Sequence, residues 1–187
     1  MTVSAPGFTS PDMELLTPRL KLRSARADDL EAMHAVLSDP RATRWWSTPP
    51  HETLEQTARW LDGMIASGTD QPDFVVELDG RVVGKAGFFE LPEVGYILHP
   101  DVWGQGLATE AVAAAVDHVF STRRVDVLTA DVDPENAASI RLLERLGFVR
   151  TGAARQTWNV GGVWKDSLYY GLTRAQRAAV LKAHAPA

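Results

Sequence analysis

Residues 99–120, HPDVWGQGLATEAVAAAVDHVF, decide how the rest of the chain is read. From Leu107 onward, Ala108, Ala111, Val112, Ala115, Val116, Val119 and Phe120 recur at helical spacing, so the segment predicts a helix with one apolar face that packs on a sheet. The preceding EVGYILH, residues 93–99, reads as a strand. Between strand and helix stand Gly104 and Gly106, where a glycine inside a helix costs about 1 kcal/mol against alanine. Followed by the small Ala108 and Thr109, they leave backbone with almost no side chain over it. A helix start carries unpaired N–H groups and about half a positive charge, so a bare glycine entry suits a phosphate. A plain turn from strand to helix explains the same two glycines. A P-loop needs Lys-Ser/Thr after its last glycine, and Leu107-Ala108 stands there instead. A dinucleotide fingerprint needs a third small residue where Thr109 stands.

The elements on either side set the fold class. LLTPRLKLRSA alternates Leu20 and Leu22 with Arg19, Lys21 and Arg23 and reads as one strand. ARADDLEAMHAVLSD reads as a helix through Leu30, Met33 and Leu37. A turn-rich PRATRWWSTPP separates it from a second helix through Leu54, Ala58, Leu61 and Ile65. DFVVELD and RVVGKAGFFEL flank Asp79-Gly80, a hairpin signal. VDVLTADV is a strand, ENAASIRLLERLGF a helix closed by Gly147, and VWKDSLYYGLT a late strand before a C-terminal helix. This order predicts an α/β fold with a mixed sheet and helices on both faces. A flexible Pro/Gly/Ser-rich tail over residues 1–11 and one domain over 12–187 are expected, with a disorder-prone HAPA at the end.

With 187 residues and 45% hydrophobic content, the chain is long enough for a sizeable core. A formal charge of −5 argues against a general nucleic-acid binder. No cysteine is present, which removes disulfides, thiolate metal sites and a Cys acyl-enzyme. No signal peptide and no membrane-length apolar run stands out, so a cytoplasmic protein with no membrane partner is expected. His34, His51, His99, His118 and His184 are scattered without metal-ligand spacing, and no metal is expected.

VWGQGLATEA after EVGYILHP, followed by NAASIRLLERLGF after a further strand, resembles the GNAT superfamily of acetyl-CoA-dependent N-acetyltransferases. Within it the chain is most similar to the RimJ/RimL-type branch, which acetylates protein N-termini and assorted small amines. The resemblance runs from TPRLKLR to YYGLT and implies the GNAT fold, with a mostly antiparallel central sheet. It places Trp103, Gly104, Gln105, Gly106, Leu107 and Ala108 on the family's Arg/Gln-x-x-Gly-x-Gly/Ala loop, Trp103 departing at the first position. It implies that Gln105 to Thr109 cradle the CoA pyrophosphate through backbone N–H groups. Strand 93–99 would splay from its neighbour and offer Ile97 and Leu98 to the pantetheine arm. The N–H of Tyr96 would face the thioester oxygen, a donor worth about 3 kcal/mol in such reactions. Asn136 would contact the arm, with Ser139 near the sulfur. Asp133 as helix cap with Pro134 at the first helical position explains the same stretch without CoA.

Amine acetylation requires a neutral amine, a proton acceptor and a donor for the departing thiolate. Glu93 is the first candidate for the acceptor of the proton, acting through water, with Glu90 and Glu77 as alternatives. Ser139 is the candidate donor, a nearby tyrosine or water being the other options. His99 is expected to position the turn after its strand. Trp45 and Trp46 on one side and Trp158 on the other are expected to line the amine entrance. RQTWNVGGVWKD would form a mobile aromatic hairpin carrying Trp158 and Trp164, although rim packing explains these tryptophans as well. The expectation is a metal-free N-acetyltransferase, monomer or homodimer. Its acceptor would be a peptide or protein N-terminus or a small molecule such as an aminoglycoside-type antibiotic. A non-catalytic CoA-binding module and a nicotinamide oxidoreductase are the rival readings.

Overall fold

The computed structural model describes residues 13–68 and 70–183. The expected N-terminal tail and the HAPA end lie outside the described residues. Among the described residues eight strands form one sheet in the order β1-β2-β3-β4-β5-β6-β8-β7. They are β1 (Glu14–Leu16), β2 (Leu20–Arg23), β3 (Asp73–Leu78), β4 (Arg81–Glu90), β5 (Glu93–Leu98), β6 (Val127–Val132), β7 (Val149–Val160) and β8 (Val163–Thr173). The helices are α1 (Leu30–Leu37), α2 (Leu54–Ser67), α3 (Leu107–Thr122), α4 (Ala137–Leu146) and α5 (Arg174–Ala183). Neighbouring strands are antiparallel except for β5 and β6, which run parallel. This is the GNAT fold, an open and mostly antiparallel α/β sheet. Among the described residues no helix is long and apolar enough to cross a membrane.

Two apolar clusters lie on the two faces of the sheet. Leu22, Phe74 and Phe88 pack with Val112 and Val116 of α3 and Leu143 of α4. Met33, Val36 and Leu37 of α1 pack with Leu61 of α2 on the other side. β5 serves both, because consecutive strand residues point to opposite faces: Ile97 enters the second cluster and Leu98 the first. Asp79 and Gly80 both have positive φ, 50° and 76°, and close the β3–β4 hairpin as the Asp-Gly pair predicts. Gly147 ends α4 in the left-handed conformation at φ 98°.

The structure corrects three expectations. The N-terminal strand is two strands, because the Thr17 N–H bonds the Leu20 carbonyl at 2.9 Å and folds the chain back at Thr17-Pro18-Arg19. The first predicted helix is shorter, its start forming a separate tight turn over Ala27–Asp29. RQTWNVGGVWKD is a hairpin as expected, but its first arm belongs to a long strand, β7, that the sequence reading did not include, joined to β8 across Gly161 and Gly162. Strand β7 escaped the sequence reading because it is an edge strand with most residues exposed, so no buried alternation marks it.

The feature that positions the site is a gap in the sheet. β5 and β6 share the register pair Glu93↔Thr129, and the Thr129 N–H donates to the Pro92 carbonyl at 2.9 Å. Beyond that point no ladder joins them. On its other side β5 is paired with β4, and the His99 N–H donates to the Val83 carbonyl at 2.8 Å. Backbone groups alternate sides along an antiparallel strand. Gly95, Ile97 and His99 therefore turn theirs to β4, and Val94, Tyr96 and Leu98 turn theirs to the gap.

Candidate active site

A cavity of about 1190 Å³ runs along this gap, bordered by β5, the Gly104–Gly106 loop, the first turn of α4 and the tip of the β7–β8 hairpin. At its loop end Gly104 and Gly106 hold φ of 74° and 75°, conformations that a side chain strains. A Cβ on Gly104 meets no protein atom within 4 Å, and one on Gly106 meets only the Arg19 side chain, at 3.7 Å. Gly106 is the cap of α3 and supplies no side-chain acceptor, so the first-turn N–H groups are left to whatever occupies the loop. Leu107, Ala108 and Thr109 border the cavity. Gln105 does not; its carbonyl accepts from Arg19 at 2.8 Å on the far side of the loop.

Trp103 is half exposed, and its indole N–H donates to the Leu98 carbonyl at 2.9 Å, one of the groups turned to the gap. Ile97 departs from the expectation of a backbone contact. Its backbone faces β4, which leaves Leu98, Tyr96 and Val94 as the residues with backbone to offer. The His99 ring accepts from the Asp101 N–H at 3.3 Å and so fixes the turn, the role read from sequence. Asn136, rather than Asp133, caps α4, its side-chain oxygen accepting from the Ser139 N–H at 3.2 Å. Asp133 instead accepts from the Glu135 N–H just before the helix.

Beside the cap, the Tyr96 phenol lies buried with Ser139 as the polar group facing it. The two do not reach hydrogen-bond geometry, and the phenolic oxygen has no partner among the described residues. Burial pushes the Tyr96 phenol up to about 12, with Ser139 pulling weakly the other way. A buried hydroxyl without a partner is unfavourable, so its presence at the cavity wall is a feature that a bound polar group would relieve.

Glu93 opens β5 where the strands part. Burial raises its carboxyl above the usual range, and the neighbouring Asp131 and Glu90 carboxylates raise it further. Glu90 borders the same cavity from the β4 side. Glu77 does not: it accepts from the Arg23 Nε at 2.7 Å within a network that also holds Asp29. That network removes Glu77 from the candidate bases.

At the opposite end the walls are side chains. Trp45 carries the Arg44 guanidinium over its ring at 4.6 Å and the Lys165 ammonium at 5.5 Å. Trp46 packs against the α1–α2 cluster, with the buried Lys85 ammonium 5.7 Å from its ring and paired to Asp73 at 2.7 Å. The Trp158 indole N–H donates to Asp131 Oδ2 at 2.7 Å, and the Ser167 hydroxyl donates to the same oxygen at 2.8 Å. Trp164 does not join them. It pairs with Asn159 across the hairpin, one residue out of step with Trp158 and Lys165, and so points to the other face.

Residues 19–149 match the acetyltransferase (GNAT) domain family. The chain belongs to that family. It is 28% identical to the N-acetyltransferase p20 of Bacillus licheniformis, over 88% of this chain and 98% of the relative. It is 29% identical to the spermidine N(1)-acetyltransferase of Escherichia coli, over 80% and 83%. A GNAT-family acetyltransferase from Bacillus anthracis superposes with a TM-score of 0.74 at 26% identity, covering 86% of this chain and 98% of the other. The RimL ribosomal L7/L12 alpha-N-protein acetyltransferase shares the fold, with a TM-score of 0.77 at 18% identity over 90% and 98%.

For this N-acetyltransferase, sequence reasoning missed Asp131 and Arg19. Asp131 sits in TADVDPEN, two positions beyond the residue that pairs with Glu93, and only the parallel pairing of β5 with β6 shows that the two carboxylates meet. Arg19 lies 86 residues from the carbonyl it holds. Its available signal is the TPRLKLR stretch, where the resemblance begins but to which the sequence reading assigns no role beyond a strand.

Proposed function

We propose that the protein transfers an acetyl group from acetyl-CoA to a primary amine by direct attack within a ternary complex. The observation that carries this reading is the opening of β5 from β6 beside a glycine-lined helix start. One end offers N–H groups to an anion, and the slot offers unpaired strand backbone to an amide-bearing chain. In this reading the first-turn N–H groups of α3 with Gly104 and Gly106 take the pyrophosphate. Leu98 and Asn136 border the pantetheine arm, and the Tyr96 N–H faces the thioester oxygen. The amine nitrogen forms its bond to the acetyl carbon as the carbon–sulfur bond breaks. Glu93, its proton affinity raised by burial and by Asp131 and Glu90, takes the amine proton through water and returns it to solvent, while Ser139 gives a proton to the departing thiolate and regains one from solvent.

The acceptor enters between Trp45 and Trp46 on one side and Trp158 on the other. Aromatic faces beside Glu90, Glu93 and Asp131 suit a cationic small-molecule amine, as does the likeness to spermidine N(1)-acetyltransferases. A peptide or protein N-terminus is the acceptor that the RimJ/RimL resemblance favours. The reading places a single catalytic domain over residues 12–187 in the cytoplasm. Release of free CoA thiol from acetyl-CoA, measured across a panel of polyamines, N-terminal peptides and aminoglycosides, tests it. One class should accelerate release and gain an acetyl group by mass spectrometry. Tight acetyl-CoA binding with no acceptor-dependent release would make the protein a CoA-binding module instead.

A further inference from the structure

The Thr17-Pro18-Arg19 turn that splits the first strand is clamped to the glycine loop. The Arg19 guanidinium reaches two elements at once. One terminal nitrogen donates to the Gln105 carbonyl at 2.8 Å, while Nε and the other terminal nitrogen hold Glu110 Oε2 at 2.7 and 2.6 Å. The other oxygen of Glu110 accepts from the Arg19 N–H at 3.0 Å and the Thr17 hydroxyl at 2.6 Å. Burial alone would raise the Glu110 carboxyl, but the bonds from Thr17 and Arg19 together hold it below the usual carboxylate range. Glu110 belongs to the first turn of α3, and its own N–H caps the ladder on the Gly106 carbonyl at 3.1 Å. The clamp thus spans the loop on both sides of Gly106.

We infer that Arg19 is a positioning residue for the anion-binding loop, acting through the Gln105–Gly106 peptide. A trans peptide directs its C=O and N–H to opposite sides. With the Gln105 carbonyl held toward Arg19, the Gly106 N–H is turned away from Arg19 and toward the wall that Gly106 contributes to the cavity. Glycines with no Cβ leave this peptide free to rotate, so the loop needs an external hold to keep its donors aimed. The hold is geometric rather than electrostatic, because Glu110 balances the guanidinium charge. Arginine is required for it, since a lysine ammonium is a point donor and lacks the fork that engages Glu110 and the carbonyl together.

This inference rests on the pyrophosphate reading above, and the test separates the two. Calorimetry gives dissociation constants for CoA and for pantetheine, which lacks the pyrophosphate and nucleotide, in the wild type, Arg19→Ala and Arg19→Lys. Melting temperatures check the fold of each. The wild type should prefer CoA strongly. Both variants should lose roughly ten- to a hundredfold of that preference, the worth of one or two hydrogen bonds to a charged group. A structural defect would weaken both ligands alike and leave the ratio intact, which would overturn the inference. Full preference in Arg19→Lys with loss in Arg19→Ala would also overturn it, because charge alone would then suffice. A wild type that binds CoA and pantetheine equally would instead sink the pyrophosphate reading itself.

Discussion

At one end of the cavity the protein offers backbone, and at the other it offers side chains. In the proposed function the donor end is made of a glycine turn, a helix start and the unpaired edge of β5, and few of the contacts it would make depend on which side chain is present. In the same proposal the acceptor end is made of Trp45, Trp46, Trp158, Glu93 and Asp131, drawn from four separate regions of the chain and held by bonds such as Trp158 to Asp131. A backbone-built site constrains the sequence only where φ or close approach demands glycine. It is therefore tolerant of substitution elsewhere and suited to a ligand that never changes. A side-chain-built site is specific, and each of its residues can be altered to suit another acceptor.

The comparison breaks first at Gly106, where the backbone end does depend on a side chain's absence. Gly106→Val places a branched residue at φ 75°, which strains the start of α3, and sets its Cβ against the Arg19 guanidinium that holds the loop. With two or three charge-assisted hydrogen bonds disrupted, CoA affinity should fall by about a thousandfold or more. The loop is exposed, so the protein should still fold. Unchanged calorimetric binding in a folded variant would show that the glycines only turn the chain.

Glu93→Gln tests the side-chain end. The maximal rate should fall by about a hundredfold or more, most severely at low pH, with recovery as pH rises toward the amine's own pKa. Acetyl-CoA affinity should be nearly intact. Stability should move the other way. A carboxyl whose proton affinity is higher in the folded protein than in the unfolded chain contributes stability at low pH, and that contribution is lost as pH rises through its folded pKa. Glutamine mimics the protonated form, so the variant should melt at or above the wild-type temperature at neutral pH. A rate profile merely scaled from wild type would pass the role to Glu90.

The same division explains what the sequence could disclose. Asp79-Gly80, Gly147 and the Gly104–Gly106 pair each need positive φ, and their residue type announced it. The helices and core strands carry an apolar period because each buries one face. β7 has no such face, and β1 is three residues long, so neither left a pattern to find. The cap of α4 was expected at Asp133, and the helix starts three residues later, at Asn136, which is an equally good cap by residue type. Glu77 was a plausible base by strand position, and its capture by Arg23 is a contact between β2 and β3 that spacing does not encode. The acceptor end was half legible for the same reason. Its aromatic members stand out in any sequence, whereas Asp131 becomes part of it only when β6 is laid beside β5.

Where the two ends meet, Ser139 and Tyr96 face each other. Ser139→Ala should lower the maximal rate by roughly tenfold with affinity and stability little changed, if its hydroxyl serves the departing thiolate. Tyr96→Phe removes a buried hydroxyl that has no partner among the described residues, so stability should hold or rise. A full rate in Ser139→Ala with a depressed one in Tyr96→Phe would transfer the role to the phenol.

The smallest expected effect is also the most diagnostic of how the acceptor end is wired. Asp131 contributes negative charge to Glu93 from across the gap, and Trp158 and Ser167 hold one of its oxygens in place. Asp131→Asn keeps the shape and one acceptor oxygen for those two donors while removing the charge. Burial and Glu90 still act on Glu93, so its proton affinity should drop only in part. A base with a lower pKa stays ionised to lower pH, and the acid limb of the pH–rate profile should therefore move to lower pH, with the plateau changed little. Removing Glu90's charge by Glu90→Gln should move the limb in the same direction but less, because Asp131 is the stronger of the two neighbours. An acid limb that stays in place in both variants would mean that Glu93 does not govern it. A limb that moves with Glu90→Gln alone would mean that the gap between β5 and β6 is wide and wet enough to screen Asp131, so that the two sides of the cavity act independently.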